Sequence, residues 1–192
     1  MLFRLTEEAD IPAVNSNSFV SVKGNDSERF LGGRGHQVLK EVLSDFKQGE
    51  SIHYITEGHW HLHELITGLL MITGPAKLYL STWAMSEDPV RALLNLIEQK
   101  YITELNCVFD YKTTTQAPKV LQLVTTISSR VKVCHCHAKM FVIENDSWLI
   151  VNNGSANLTK NPRLESGVIC SNKIVAARYR DKILEKFNEP ES

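Results

Sequence analysis

From Ser51 onward the chain switches repeatedly between two hydrophobic periods, and this limits its fold more than any other feature. Residues 51–56 (SIHYIT), 77–82 (KLYLST) and 104–109 (ELNCVF) alternate, or run apolar over a short span, as strands do. Between them, Leu62 to Ile72 is largely apolar and is stopped by Gly74-Pro75, which reads as a helix. Ser86-Glu87-Asp88-Pro89 is a helix start, and Leu93, Leu94 and Ile97 then form one face through Lys100. Val120, Leu121, Val124 and Ile127 mark a helix over 117–127, and residues 130–137 read as a strand. A hairpin is expected from 140–143 and 148–151, then a closing helix rich in Arg and Lys over 174–187. Strand and helix in alternation predict an α/β fold, a mixed β-sheet flanked by helices.

The first 48 residues follow a different pattern and are expected to form an N-terminal extension on or beside the core, with residues 49–192 as the main domain. NSNSFVSVKGND reads as turns around a short FVSV strand. Gly32 to Gly35 (GGRG) lacks the spacing of a phosphate-binding loop and reads as a joint. Val38, Leu39, Val42, Leu43 and Phe46 then predict a helix over 37–46.

A chain of 192 residues can bury its own core. Its four cysteines are too few for a disulfide framework. The longest apolar run, Leu65 to Ala76, falls short of the roughly 20 residues of a membrane span. The N-terminus, MLFRLTEEAD, carries acids early and has no apolar signal region, so a soluble, cytoplasmic protein with no membrane partner is expected. The net charge of −1 conceals an asymmetry: residues 1–110 sum to −6 and residues 111–180 to +7. No acid occurs between Asp110 and Glu144. A basic C-terminal half suits a phosphate-bearing substrate, although the two halves attracting each other would account for it equally well.

The chemistry-bearing residues cluster between His137 and Glu165. Residues i and i+2 of a strand share a face, so His137 and Lys139 emerge side by side. The apolar MFVI is buried next, and a hairpin returns the chain to Asn153-Gly154-Ser155-Ala156-Asn157. An imidazole, an ammonium, a hydroxyl and a carboxamide then converge. Ammonium and small polar groups hold anionic oxygens, and histidine serves as nucleophile or general acid.

This segment resembles the signature of the phospholipase D superfamily: His137-x-Lys139, four residues, an acid at Glu144, then Gly154-Ser155-x-Asn157. Residues 161–165 (NPRLE) resemble the family's downstream stretch, and the likeness extends over about residues 50 to 190. One departure is Glu144, where the family carries Asp; that acid supports local structure, as does Gly154. The resemblance implies a metal-independent phosphodiesterase, with no cofactor, that works through a phosphohistidine. The family uses two H-x-K motifs per site and this chain has one, as in the family's small bacterial nucleases, in which two subunits share a site. A homodimer around a two-fold axis is therefore expected, with nucleic acid as the phosphodiester substrate. His137 and its dimer mate would be nucleophile and general acid. Lys139, Ser155 and Asn157 would bind the non-bridging oxygens, and Glu165 would orient the imidazole. Lys132 and Arg163 would meet substrate as part of a basic groove.

Other readings remain open at this stage. A nucleic-acid-binding protein with weak or lost catalysis, or a phospholipase or phosphatidyl transferase, would carry the same motif. Cys134-His135-Cys136-His137 invites a zinc site, but one extended strand cannot easily supply four tetrahedral ligands. His59 and His63 have metal-ligand spacing if a helix starts early enough to put them on one face.

Overall fold

The computed structural model describes residues 43–160 and 162–190, together with Leu39, Arg29 and the backbones of 20–23 and 28–32. Most of the expected 37–46 helix, and the GGRG joint beyond Gly32, lie outside the described residues. The elements run β1 (Val20–Lys23), β2 (Glu28–Gly32), β3 (Ser51–Thr56), α1 (Leu62–Thr73), β4 (Ala76–Thr82), α2 (Glu87–Glu98) and β5 (Ile102–Asp110). They continue α3 (Lys112–Gln116), α4 (Pro118–Ile127), β6 (Arg130–Cys134), β7 (Met140–Glu144), β8 (Leu149–Gly154), β9 (Glu165–Cys170) and α5 (Lys173–Asn188).

The strands form one mixed sheet in the order β1-β2-β3-β9-β8-β7-β4-β5-β6. The β4, β5 and β6 strands are parallel, the arrangement that helical crossovers produce. From β4 outward through β7, β8, β9 and β3 the pairing is antiparallel. Central β4 is buried on both faces apart from Lys77, which explains why KLYLST reads as a nearly continuous apolar run.

Two apolar layers sandwich the sheet. On one side α1, α2 and α4 bury Leu65, Leu69, Leu93 and Val124 against Leu78, Leu80, Phe109, Phe141 and Ile150. On the other, α5 sets Ala176 and Ile183 on Tyr79, Val108, Val142 and Val151. Leu39, Leu43 and Phe46 are buried in the first layer, so the chain just before β3 belongs to the core.

The structure departs from the sequence reading in several places, among them the unexpected short helix α3. The β6 strand ends at Cys134 rather than running to His137. Neighbouring β5 ends at Asp110, opposite Cys134, and the Asp110 carboxylate then takes the Cys136 N–H at 3.1 Å. Strands β2 and β9 were not expected; β2 extends the sheet parallel to β3, and β9 lies between β3 and β8. Ser86 does stand at the N-cap of α2, but its side chain makes no capping hydrogen bond, and its N–H goes to the Leu158 carbonyl at 3.0 Å.

Candidate active site

One end of the sheet gathers the C-terminal ends of β4, β5, β6 and β8 with the first residues of β7 and β9. Open α/β sheets bind ligands beyond the carboxyl ends of their parallel strands. The residues singled out in the sequence meet here. His137 is exposed in the extended segment between β6 and β7, and Lys139 directly precedes β7. The Lys139 ammonium lies 3.4 Å from His137 Nε2 and donates to the His137 carbonyl at 2.9 Å. Burial lowers the Lys139 pKa, opposed by nearby Cys136, Glu165 and Asp110.

The hairpin closes the other side of the site. Gly154 N–H bonds the Lys139 carbonyl at 3.2 Å, which places Ser155 beside the H-x-K segment. The Ser155 hydroxyl donates to the Glu165 carboxylate and accepts the Ser166 N–H at 3.0 Å. Asn157 Oδ1 faces the Thr82 hydroxyl at 3.5 Å, at the end of β4. The next residue, Trp83, meets the His137 ring edge-on at 5.7 Å. His137, Lys139, Ser155, Glu165, Asn157 and Trp83 are thus linked around one end of the sheet.

Close approach explains the glycines. A Cβ at Gly154 would stand 2.6 Å from the Ser166 carbonyl and 3.0 Å from the Tyr54 hydroxyl. A Cβ at Gly167 would collide with the same tyrosine and with the Asn153 carbonyl. The two glycines leave room for buried Tyr54 beneath the site, where burial raises its phenol pKa.

Not every expected residue arrives here. Glu144 was expected as a structural residue near the site, and it lies away from it. It closes the far end of β7, four residues from Met140, or roughly 13 Å along a strand. There it accepts the Tyr79 hydroxyl at 2.9 Å and pairs with Arg180 of α5. Lys132 shares a strand face with Cys134 rather than with His137, and its ammonium donates to the Glu189 carbonyl at 2.7 Å. Arg163 is exposed in the loop entering β9.

The helical face that His59 and His63 would share if the helix began early does not form. The α1 helix starts at Leu62, with His61 as N-cap, so His59 precedes it. His59 lies 3.8 Å from the Glu57 carboxylate, and His63 stacks on His61 at 5.8 Å. Burial lowers the His63 pKa. Along the 134–137 segment, Cys134 is buried against the α5 face and Cys136 is partly buried beside the Ser81 hydroxyl at 3.0 Å, while His135 and His137 are exposed. Among the described residues, no three His, Cys, Asp or Glu side chains are grouped to hold a metal.

Several site residues gave no local signal. Asp110 accepts the Lys112 N–H at 3.0 Å as well as that of Cys136, and so ties the H-x-K segment to the end of β5. Burial raises its pKa, but these two N–H donors overcome that and hold it below the ordinary value. Lys112 lies over the Trp83 ring, 5.2 Å from its centre. The pairing of β4 with β5 brings these residues together, and only knowledge of that strand order would have indicated them.

No protein-family model matches this chain, and no curated protein matches its sequence. Solved structures do share its fold. One is a phospholipase D family member, Nuc from Salmonella typhimurium, with a TM-score of 0.55, 16% identity, and coverage of 74% of this chain and 97% of that one. A second is NucT from Helicobacter pylori, with a TM-score of 0.53, 12% identity, and coverage of 72% and 97%. The third, polyphosphate kinase from Porphyromonas gingivalis, has a TM-score of 0.52 and 16% identity over 74% of this chain, but only 26% of its own. The chain therefore has the phospholipase D-like α/β fold. A kinase within the same fold shows that the reaction has to be argued from the site. Among the described residues no helix is long and apolar enough to cross a membrane.

Proposed function

We propose that the protein is a metal-independent phosphodiesterase acting on nucleic acid, with its active site shared across a homodimer. The supporting observation is the contact chain from Trp83 through His137 and Lys139 to Gly154, Ser155 and Glu165. His137 Nε2 attacks phosphorus as the bond to the leaving oxygen breaks, and the partner subunit's His137 delivers a proton to that oxygen. The same partner imidazole then takes a proton from water, whose oxygen displaces His137 from phosphorus and restores it. Lys139, Ser155 and Asn157 hold the non-bridging oxygens, where charge accumulates. Glu165 fixes the Ser155 hydroxyl and orients the imidazole. Exposed Arg163 binds a flanking phosphate; Lys132, whose amine donates to the Glu189 carbonyl, is left out of this role.

The test is cleavage of single- and double-stranded DNA and RNA in excess EDTA, with His137→Ala in parallel. Chelator-resistant cleavage that the variant lacks supports the proposal; cleavage that EDTA abolishes, or that survives in the variant, overturns it. Binding without cleavage would favour a nucleic-acid-binding role. Light scattering should give twice the 21.7 kDa chain mass, and a single-chain mass in an active sample would exclude the shared site.

A further inference from the structure

Trp83 has no place in the reaction just described, yet the fold holds it at the centre of the site. It follows Thr82, the last residue of β4, which pairs with Phe109 of β5. Its carbonyl accepts the hydroxyl of buried Thr113 at 3.4 Å. The Lys112 backbone is fixed in turn by Asp110 at 3.0 Å. Trp83 and the start of α3 are therefore braced against each other. Trp83 itself remains partly exposed. His137 meets the ring edge-on at 5.7 Å, and the ammonium groups of Lys112 and Lys139 lie 5.2 Å and 5.8 Å from its centre.

An aromatic ring with two ammonium groups close to it, adjoining the phosphate-reactive residue, offers what a short stretch of nucleic acid needs: a surface for a planar base and cations for its phosphates. Lys139 belongs to the reacting phosphate, which leaves Lys112 for the next one. A base approaching Trp83 must take the place of an exposed cation–π contact. That contact is among the weaker interactions at a surface, whereas base stacking on an aromatic side chain is stronger and tolerates any base. The displaced Lys112 ammonium stays charged and gains a phosphate partner. Paired bases within a duplex cannot present a face to an indole without leaving the stack.

We infer that Trp83 and Lys112 form a nucleotide subsite next to His137, with Trp83 stacking the base that flanks the scissile phosphate and Lys112 binding the following phosphate, so that the preferred substrate is an unpaired strand. This rests on the phosphodiesterase reading for its purpose but not for its measurement, which is binding. The other two tryptophans are placed differently: Trp60 is buried in the core, and Trp148 stacks on Phe46.

The probes are a fluorescein-labelled oligothymidylate of about twelve residues, an abasic deoxyribose-phosphate oligomer of the same length, and a duplex. Affinities are measured for the full chain and for Trp83→Leu, Trp83→Phe and Lys112→Ala. Trp83→Leu should weaken oligothymidylate binding about tenfold or more and leave the abasic oligomer unchanged, while Trp83→Phe retains most of the affinity. Lys112→Ala should weaken both single strands about equally and lower the salt dependence by about one phosphate contact. In the unsubstituted protein, oligothymidylate should quench tryptophan fluorescence at saturation and the abasic oligomer should not, which keeps the test open if Trp83→Leu fails to fold. An equal Trp83→Leu loss on both single strands, no quenching, or a duplex bound as tightly as the single strand and equally sensitive to Trp83, overturns the subsite. Absence of phosphodiester cleavage in the EDTA assay overturns the enzymatic reading instead and leaves these binding results to stand by themselves.

Discussion

The two ends of β7 carry charged residues of the same kinds and use them in opposite ways. At the Glu144 end the charges carried on the strands are paired within the chain. Glu144 takes both Arg180 and the Tyr79 hydroxyl, and Lys77 meets Glu104 at 3.0 Å on the neighbouring strands. Asn145 seals the turn there, donating to the Thr73 and Pro75 carbonyls and accepting from Ser147 and Trp148. At the Lys139 end, two lysines gather around one indole beside an exposed imidazole, and the nearby carboxylates are committed to a serine hydroxyl and to backbone N–H groups. Internal pairing makes the first end a structural joint. The second end instead holds the ammonium groups of Lys112 and Lys139 close to an indole.

The sharpest way to break this contrast is to exchange the consequences of substitution at the two ends. His137→Ala should reduce cleavage by on the order of 10⁴-fold, the scale for removing an essential nucleophile, and leave the thermal midpoint within about 2 °C. A comparable rate in both proteins would remove the site from this end of the sheet.

Gly154→Ala should affect both properties. Its added methyl meets the Ser166 carbonyl and Tyr54, an overpacking that costs about 2 kcal/mol or more and displaces Ser155. Urea unfolding and cleavage should fall together, and a variant of normal stability would show that the hairpin tolerates a side chain there.

Glu144→Ala gives the mirror image of His137→Ala. It leaves Arg180 and Tyr79 without their shared acceptor and should cost about 2 kcal/mol in urea unfolding. Activity per folded molecule should stay within about twofold. A selective loss of activity would mean that this end also takes part in the reaction.

The smallest effect is expected at Asp110. Its folded pKa lies below its unfolded value, so its contribution is fully present above the unfolded pKa of about 3.9 and is lost as the pH falls through the folded value. Allowing for solvent screening, Asp110→Asn should cost less than about 1 kcal/mol at neutral pH. Stabilities of the two proteins should converge in acid, and a difference that grows as pH falls would contradict the assignment of the clamp.

Local residues announced the H-x-K and Gly-Ser-x-Asn segments because each is a few positions long, yet neither lies on a strand as expected: His137 and Lys139 stand between β6 and β7, and Ser155 and Asn157 follow β8. The helices at 62–73, 87–98 and 173–188 were legible for the same reason, from spacing and flanking turn residues. Trp83, Asp110 and Lys112 were not, because their relation to His137 depends on which strands become neighbours. The resemblance led Glu144 to be expected as a support for local structure near the site; it stands at the opposite end of β7 from Met140, because an extended strand carries its two ends apart. Strand β9 has its apolar residues confined to Val168–Cys170 after Glu165-Ser166-Gly167, too short a run to announce a strand, and its pairing with β3 and β8 supplies what composition does not.

That late strand also governs how the molecule can be made. Residues 20–56 and residues 76–154 each lay down their share of the ladder, and neither pairs with the other until Glu165–Cys170 slides between them. A ribosome must therefore release most of the chain before the sheet becomes continuous, and such long-range closure folds slowly. Until then the facing edges of β3 and β8 stay unpaired, and the nascent chain is open to mispairing with its neighbours.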